Sequence, residues 1–210
     1  MAGHFAIVLG DPVGPEGVFE GAIRQFRELC AENDWGLGFH QTLPDFLAIY
    51  QRLGFKKLKI GDDAVVDLSQ FGLEGRSMRK FRTALNRMEK EGVRVELYQP
   101  PLPDKILAQA KEVSDQWLQI PGRRERGFSL GRFDPEYIRQ TPLFVAADKN
   151  GRILAFVNMI PSYRHGETTS DLMRHRTDAP NGIMDFLFVK LFYHQREHGF
   201  KRFNMGMAPM

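Results

Sequence analysis

The sequence contains a single cysteine, Cys30, among its 210 residues. One cysteine excludes an intramolecular disulfide and any zinc site built on several thiolates, and it is typical of a protein in a reducing cytoplasm. Long hydrophobic runs are also lacking, since Leu143–Ala147 and Phe186–Val189 are far shorter than the ~20 residues of a membrane-spanning helix. The segment Met1–His4 has neither the basic start nor the apolar stretch of a secretory signal. These absences predict a protein that is not exported and does not cross a bilayer.

The net charge is small, because 29 Lys and Arg residues stand against 26 Asp and Glu residues, which gives +3. Nucleic-acid binding through overall charge is therefore not expected. The positive charge is concentrated instead: six basic and two acidic residues lie between Arg76 and Glu91. The rest of the chain is close to neutral, so this segment is the first candidate for binding an anionic partner.

Hydrophobic periodicity predicts strands that alternate with helices. The expected strands are Phe5–Leu9, Trp35–His40, Ala64–Leu68, Val93–Tyr98, Leu143–Asp148, Ile153–Ile160 and Phe200–Met205, and Ser170–Arg174 lies on or just after a further strand. The expected helices cover about residues 18–29, 44–53, 76–92, 104–118 and 182–198. Asn150-Gly151 is a typical hairpin turn between two of these strands. The alternation predicts an α/β (α+β) fold.

The predicted basic helix, Arg76–Gly92, has two faces on a 3.6-residue wheel. Its apolar stripe consists of Met78, Phe81, Leu85 and Met88. Its basic face gathers Arg76, Arg79, Lys80, Arg87 and Lys90. This face has two interpretations, a solvated surface or a binding surface for anions. The anions would be the head groups of an acidic membrane leaflet or the phosphates of RNA.

Asp171 and Arg174 form the acid-and-base pair of greatest chemical interest. Residues three positions apart lie together in a helix or a turn but point to opposite faces of a regular strand. The segment Ser170–Arg174 is predicted to lie on or just after a strand, and on a strand a β-bulge is needed to direct both side chains to one pocket. There the carboxylate can orient or deprotonate a hydroxyl, and the guanidinium can bind a phosphate through two parallel hydrogen bonds. The alternative is an ion pair on the surface.

Two further features of the sequence were considered as binding sites, and both give weaker evidence. The turn Gly10–Gly17 joins a strand to a helix N-terminus, a place where phosphate or carboxylate binds, but it lacks the P-loop and dinucleotide patterns. A structural turn, with Asp11 capping its backbone donors, is the alternative. Of the six histidines only His194 and His198 have a metal-ligand spacing. The residues between them, Gln195, Arg196 and Glu197, do not form the metalloprotease motif His-Glu-x-x-His. No metal site is predicted.

Six short motifs follow one another along the chain. They are Gly10–Gly14, Gly75–Arg79 with Asn86-Arg87, Phe128–Gly131, Asp171–Arg174, Asn181–Asp185 and Gly206–Pro209. In this order they resemble the cytosolic catalytic domain of bacterial phosphatidylglycerol lysyltransferases, also called multiple peptide resistance factors. The resemblance covers essentially the whole chain. It implies tandem GNAT-like acyltransferase subdomains, residues 1–74 and 93–210, joined by the basic helix 75–92 and truncated at both ends relative to family members.

The resemblance also implies an activity, the transfer of a lysyl or alanyl group from aminoacyl-tRNA to the glycerol hydroxyl of phosphatidylglycerol. Such a reaction changes lipid charge at the cytoplasmic face of the membrane and confers resistance to cationic antimicrobial peptides. Its donor ester is already activated, so aminoacyl-tRNA is a co-substrate and neither a cofactor nor a metal is expected. The family motifs imply that Asp171 orients the aminoacyl ammonium or the attacking hydroxyl and that Arg174 holds a phosphate. The implied substrate-binding residues are Arg76, Arg79, Lys80, Arg87, Asn181 and Gly182.

Two other functions stay open. One is an acyl-CoA-dependent N-acetyltransferase of the GNAT kind, although the sequence lacks the Arg/Gln-x-x-Gly-x-Gly/Ala pyrophosphate loop. The other is a non-catalytic module that docks on anionic membranes through the basic helix. The sequence predicts no particular oligomeric state.

Overall fold

The computed structural model describes residues 4–162 and 164–210, in which the chain forms strands β1 to β8 and helices α1 to α6. The strands are β1 (Phe5–Leu9), β2 (Gly36–His40), β3 (Gly61–Asp67), β4 (Arg94–Tyr98), β5 (Leu143–Ala147), β6 (Ile153–Ile160), β7 (Glu167–His175) and β8 (Arg202–Pro209). The helices are α1 (Phe19–Glu32), α2 (Leu47–Arg52), α3 (Arg79–Lys90), α4 (Asp104–Leu118), α5 (Pro135–Arg139) and α6 (Ile183–Glu197). The residues Met1–Gly3, which entered the prediction about a secretory signal, lie outside the described residues.

The first of two compact units comprises residues 4–61 with Pro209 and Met210. In it β1 and β2 pair in parallel, from Phe5 opposite Gly36 to Leu9 opposite His40. Its buried core is formed by Ile23, Tyr50 and Leu53, with further aromatic rings packed against them. The predicted strands and helices of this unit are confirmed, and the second helix is preceded by a 3-10 turn at Pro44–Phe46.

The turn after β1 is held inside this unit by its own hydrogen bonds. The amide of Gly10 donates to the carbonyl of His40 at 2.8 Å. Asp11 was expected to cap donors of its own turn, but its carboxylate instead accepts from the amide of Leu43 at 2.8 Å and from the hydroxyl of Tyr50 at 2.9 Å. Asp11 therefore links this turn to the approach to α2, which favours the structural interpretation of the glycine-rich segment.

The second unit, residues 62–208, contains a six-stranded mixed sheet in the order β3-β8-β7-β6-β5-β4. The strands β4 to β7 pair antiparallel in sequence order, whereas β7 and β8 pair in parallel. The division between the units differs from the boundary at residue 74 suggested by the sequence. The difference arises because β3 pairs with β8 and so joins the second sheet.

Both faces of this sheet are covered, and alternate residues of the central strands point to opposite sides. Phe144 and Val157 pack in one buried cluster with residues of α6. Val145 and Phe156 pack in the other cluster with residues of α4. The sheet therefore separates an α4 side from an α6 side.

The basic helix α3 packs on α6 within the second unit. Its buried residues are Ala84 and Met88, whereas Phe81 and Leu85 are only half-buried. The predicted stripe therefore lacked Ala84, which lies against Gly182: a Cβ at Gly182 would be 3.1 Å from the Cβ of Ala84. This close approach explains why a small residue, and not a large apolar one, occupies the contact. In the described part of the chain, no helix has the length and hydrophobicity that crossing a membrane requires.

Candidate functional site

A β-bulge shapes the centre of β7. Val157 of β6 pairs with Met173, and Met159 pairs with Ser170, so Asn158 alone stands opposite two residues of β7. The buried Asn158 fills the irregularity, since its side-chain oxygen accepts a hydrogen bond from the amide of Leu172 at 2.7 Å. The bulge required by the sequence argument is thus present, and it lets residues three apart on β7 reach the same side of the sheet.

Asp171 is half-buried on the α4 side of the sheet, and its carboxylate accepts hydrogen bonds from two residues. One carboxylate oxygen accepts from the amide of Gly131 at 2.8 Å, and the other accepts from the hydroxyl of Tyr137 at 2.7 Å. Burial and this hydrogen bond raise the pKa of Tyr137 to about 12, so its hydroxyl stays a donor near neutral pH. A Cβ at Gly131 would overlap the Asp171 carboxylate, so this close approach requires glycine.

Arg174 is buried, with a relative exposure of 2%. Its guanidinium donates to Glu125 through two hydrogen bonds of 2.9 and 2.6 Å, and to the hydroxyl of Ser114 at 2.6 Å. It also lies 4.8 Å from the ring centroid of Trp117, a cation–π contact. The hydrogen bonds from Arg174 lower the pKa of Glu125 below its usual value. Arg174 and Asp171 therefore bind different partners, and they do not form the surface ion pair that was the alternative interpretation.

Asp171 and Arg174 both form hydrogen bonds with the segment that connects α4 and α5. We call Gly122–Arg132 within this connection the arginine loop. Arg174 binds its Glu125, and Asp171 binds the amide of its Gly131. The two side chains thus fix the loop against the sheet at both of its halves.

Sequence reasoning missed three residues of this site, Glu125, Tyr137 and Asn158. Tyr137 lies on α5, a helix of only five residues that was not predicted. A signal for α5 was present, because Asp134 is followed by Pro135 and its carboxylate accepts from the amides two and three positions on, as a helix N-cap does. Glu125 and Asn158 are recognisable only once their partners on β7 are known.

Five of the predicted substrate-binding residues meet on the other side of the sheet. They line an open cleft of about 370 Å³ between α3 and α6, and they are Arg79, Lys80, Arg87, Asn181 and Gly182. Lys80 lies 3.0 Å from the carboxylate of Asp185, and Arg87 donates to the carbonyl of Asn181. Arg76 is exposed in the turn before α3 and does not line the cleft.

The sheet thus divides the predicted site residues into two groups. Asp171 and Arg174 bind residues of the α4 side, whereas the cationic cleft is formed by α3 and α6. One group presents the half-buried Asp171 carboxylate, and the other presents basic side chains beside the N-terminus of α6.

The predicted histidine pair lies on α6. The rings of His194 and His198 stack with centroids 4.0 Å apart, and burial together with the nearby His198 lowers the pKa of His194. Among residues 4–162 and 164–210, no three His, Cys, Asp or Glu side chains are grouped so that they could hold a metal ion.

A six-stranded mixed sheet with helices on both faces defines the class as a GNAT-like α/β fold. FemX, a solved structure 13% identical to this chain, has this fold at a TM-score of 0.63, with 97% of this chain and 72% of that chain covered. At such low identity the likeness concerns the fold alone. The fold class expected from the sequence is confirmed.

The chain belongs to the family of phosphatidylglycerol lysyltransferase C-terminal domains, whose profile matches residues 2–210. It is 40% identical over 204 residues to a phosphatidylglycerol lysyltransferase of Bacillus subtilis, which covers 97% of this chain and 24% of that protein. It is also similar to the structure of L-PGS from Bacillus licheniformis, with a TM-score of 0.93, 39% identity, and coverage of 99% of this chain and 63% of that one. The resemblance found in the sequence is confirmed, and the chain spans about a quarter of the length of the curated relatives it matches.

Proposed function

We propose that this chain carries the aminoacyl-transfer site of an enzyme that moves a lysyl or alanyl group from aminoacyl-tRNA to phosphatidylglycerol. The observation that carries the proposal is the family match across residues 2–210. The bulge that presents Asp171 beside Tyr137 supports it, because it provides a partly exposed carboxylate next to a neutral hydroxyl.

The reaction is an ester exchange. The glycerol hydroxyl of the lipid attacks the carbonyl carbon of the aminoacyl ester, a new C–O bond forms, and the bond to the ribose oxygen breaks. The proton of the attacking hydroxyl ends on that ribose oxygen. Asp171 would accept a hydrogen bond from the attacking hydroxyl or from the aminoacyl ammonium, and so would hold the reacting groups at bonding distance.

Arg174 was expected to hold a phosphate, and this role stays a prediction. Its donors already bind Glu125 and Ser114, so a phosphate would have to displace the Glu125 carboxylate. In the present arrangement Arg174 is a positioning residue that fixes the arginine loop beside Asp171.

The two sides of the sheet suit two different substrates. The α3–α6 cleft and the rest of the α3 surface present basic side chains, with no large apolar residue among the exposed ones. We assign this surface to phosphates of the tRNA, whose binding such a purely polar cationic face would support. The lipid head group is assigned to the Asp171 side.

A transfer assay tests the proposal. The purified protein is incubated with radiolabelled lysyl-tRNA or alanyl-tRNA and with vesicles that contain phosphatidylglycerol, and the lipid fraction is counted. Labelled lipid is expected with at least one of the two donors, and Asp171→Ala should abolish it. Transfer that is absent with both donors, or unchanged in Asp171→Ala, would contradict the proposal or the site, respectively.

The same preparation separates the alternatives. Thermal stabilisation by acetyl-CoA would favour an N-acetyltransferase. Vesicle binding without transfer would favour a membrane-docking module. If the proposed transfer occurs, it converts an anionic lipid to a cationic or neutral one, so the enzyme would act at the cytoplasmic face of the membrane and weaken the attraction of cationic antimicrobial peptides.

A further inference from the structure

The arginine loop presents a surface that the proposed reaction does not use. Four of its arginine side chains are exposed, and they are Arg123, Arg124, Arg126 and Arg132. Two large apolar residues between them are also exposed, Phe128 at 47% and Leu130 at 52%. Glu125 is the single acidic residue of the loop; its carboxylate accepts two hydrogen bonds from Arg174 and also interacts electrostatically with Arg132. The outer surface of the loop is therefore cationic and apolar at once.

The loop holds this surface in a defined position. Its first half is fixed by the pair of hydrogen bonds between Arg174 and Glu125, and its second half by the hydrogen bond from the amide of Gly131 to Asp171. At its base the guanidinium of Arg123 lies 5.1 Å from the ring centroid of Trp117. Phe128 and Leu130 fall between Glu125 and Gly131, so the segment that exposes them is bound to β7 on both sides.

Large apolar side chains flanked by arginines fit the interface of an anionic bilayer. Aromatic and aliphatic side chains gain free energy by entering the boundary between head groups and acyl chains, while nearby arginines bind the lipid phosphates. Each basic residue near such a surface adds to the electrostatic attraction. RNA offers the cations the same phosphates, but it offers an aliphatic side chain such as Leu130 no comparable apolar phase.

We propose that the arginine loop is the membrane-contacting element of this unit, with Phe128 and Leu130 entering the interface of an anionic phospholipid bilayer. The arginines of the loop bind the head groups. The choice of lipid rests on the proposed function, whereas the contact itself rests on the loop. Because the loop is fixed to Asp171 and Arg174, a bilayer held by its tip lies on the same side of the sheet as the carboxylate.

Fluorescence at the loop tests the contact directly. Cys30 is buried with a relative exposure of 1%, so a cysteine introduced by Leu130→Cys is the accessible labelling site for an environment-sensitive dye. We expect a blue shift on addition of vesicles of phosphatidylglycerol and phosphatidylcholine, and none with phosphatidylcholine alone. Lys149→Cys, at an exposed residue of the turn between β5 and β6 in the same unit, is the control and should show no shift. No shift at position 130 would overturn the proposal.

Vesicle co-sedimentation tests the chemistry. Replacing Arg123, Arg124 and Arg126 with Gln should weaken partitioning to the anionic vesicles on the order of 100-fold. Phe128→Ser with Leu130→Ser should weaken it roughly tenfold or more. The matched control replaces three exposed lysines outside the loop, Lys105, Lys111 and Lys149, with Gln, and it should change binding much less.

The outcomes separate this proposal from the proposed function. Lost transfer with intact vesicle binding would count against the function and leave the loop assignment standing. Unchanged vesicle binding in both loop variants would overturn the assignment whatever the transfer assay shows. If the arginine variant instead loses tRNA in a gel-shift assay and keeps its vesicle binding, the loop is an RNA contact and the proposal is wrong.

Discussion

Arg174 and Glu125, 49 positions apart in sequence, are joined by two parallel hydrogen bonds of 2.9 and 2.6 Å. The Arg174 side chain is 3% exposed and the Glu125 side chain 33%. A bidentate pair of this kind is among the stronger polar contacts in proteins. It ties a loop to the central part of a sheet, so changes to Glu125 should affect both stability and the site.

Glu125→Gln should destabilise the fold, because it leaves the buried Arg174 guanidinium without a compensating charge. Since Glu125 is partly exposed, we expect a loss of about 1–3 kcal/mol in the free energy of unfolding, measured by urea denaturation. The matched control is Asp115→Asn, which removes the exposed pair of Asp115 with Lys111 and should have little effect. Equal losses of stability in the two variants would show that the Arg174–Glu125 pair stabilises the fold no more than an exposed ion pair does.

The same pair predicts a pH dependence. The hydrogen bonds from Arg174 lower the pKa of Glu125 below its usual range, so the folded state binds the proton more weakly than the unfolded state. Its contribution to stability is therefore complete above about pH 4.5 and is lost as the pH falls through the lowered pKa. Urea denaturation between about pH 3 and 6 should show a smaller loss of stability on acidification in Glu125→Gln than in the unmodified protein.

Other carboxyls also have a lowered pKa, among them that of Asp178 beside Arg152. The difference between the protein and its Glu125→Gln variant removes their common contribution. If the two stability profiles stay parallel down to about pH 3, the Arg174–Glu125 pair is not the source of the predicted slope.

The bulge on β7 depends on Asn158. Its side-chain oxygen accepts from the amide of Leu172 at 2.7 Å, and the residue has a relative exposure of 0%. Asn158→Ala leaves that buried amide without its acceptor, which should cost about 1–3 kcal/mol. Asn86→Ala, at an exposed position of α3, is the control and should be close to neutral. The melting temperatures of the two variants are compared by circular dichroism. Similar melting temperatures would mean that the side chain of Asn158 does not stabilise the bulge.

Local sequence patterns were sufficient to predict many of the helices and strands. Helix α4 has the predicted bounds, Asp104–Leu118, because a proline joint precedes it and its apolar residues keep a helical period. The hairpin of β5 and β6 followed from Asn150-Gly151. These elements depend on neighbours in sequence, which a single chain displays directly.

Contacts over long distances in sequence could not be predicted in the same way. Asp171 and Arg174 were selected by their chemistry, but the bulge that aligns them is set by Asn158 on another strand. Ala84 was overlooked in α3 because a small residue contributes little to an apolar stripe, yet its Cβ would lie only 3.1 Å from a Cβ at Gly182. In both cases the role of the residue depends on a contact with a residue distant in sequence. Hydrophobic periodicity does not predict such contacts.

Gly131→Ala tests whether Asp171 is held in place for the reaction. A Cβ at position 131 would overlap the Asp171 carboxylate and displace it from the amide of Gly131 and the hydroxyl of Tyr137. We expect transfer to fall to nearly the level of Asp171→Ala while the melting temperature changes little. Gly21→Ala, on α1 with open space around it, is the control and should leave transfer intact with a gain of about 0.5–1 kcal/mol in stability.

The double variant Gly131→Ala, Asp171→Ala distinguishes a positioning role from an independent one. If Gly131 acts only through the carboxylate, the second substitution adds no further loss of transfer, because residues that act as a unit are not additive. Losses that multiply would mean that the backbone at Gly131 affects transfer by a route separate from Asp171. Full activity in the single Gly131→Ala variant would mean that the observed position of the carboxylate is not required, and the role assigned to Asp171 would then have to be withdrawn.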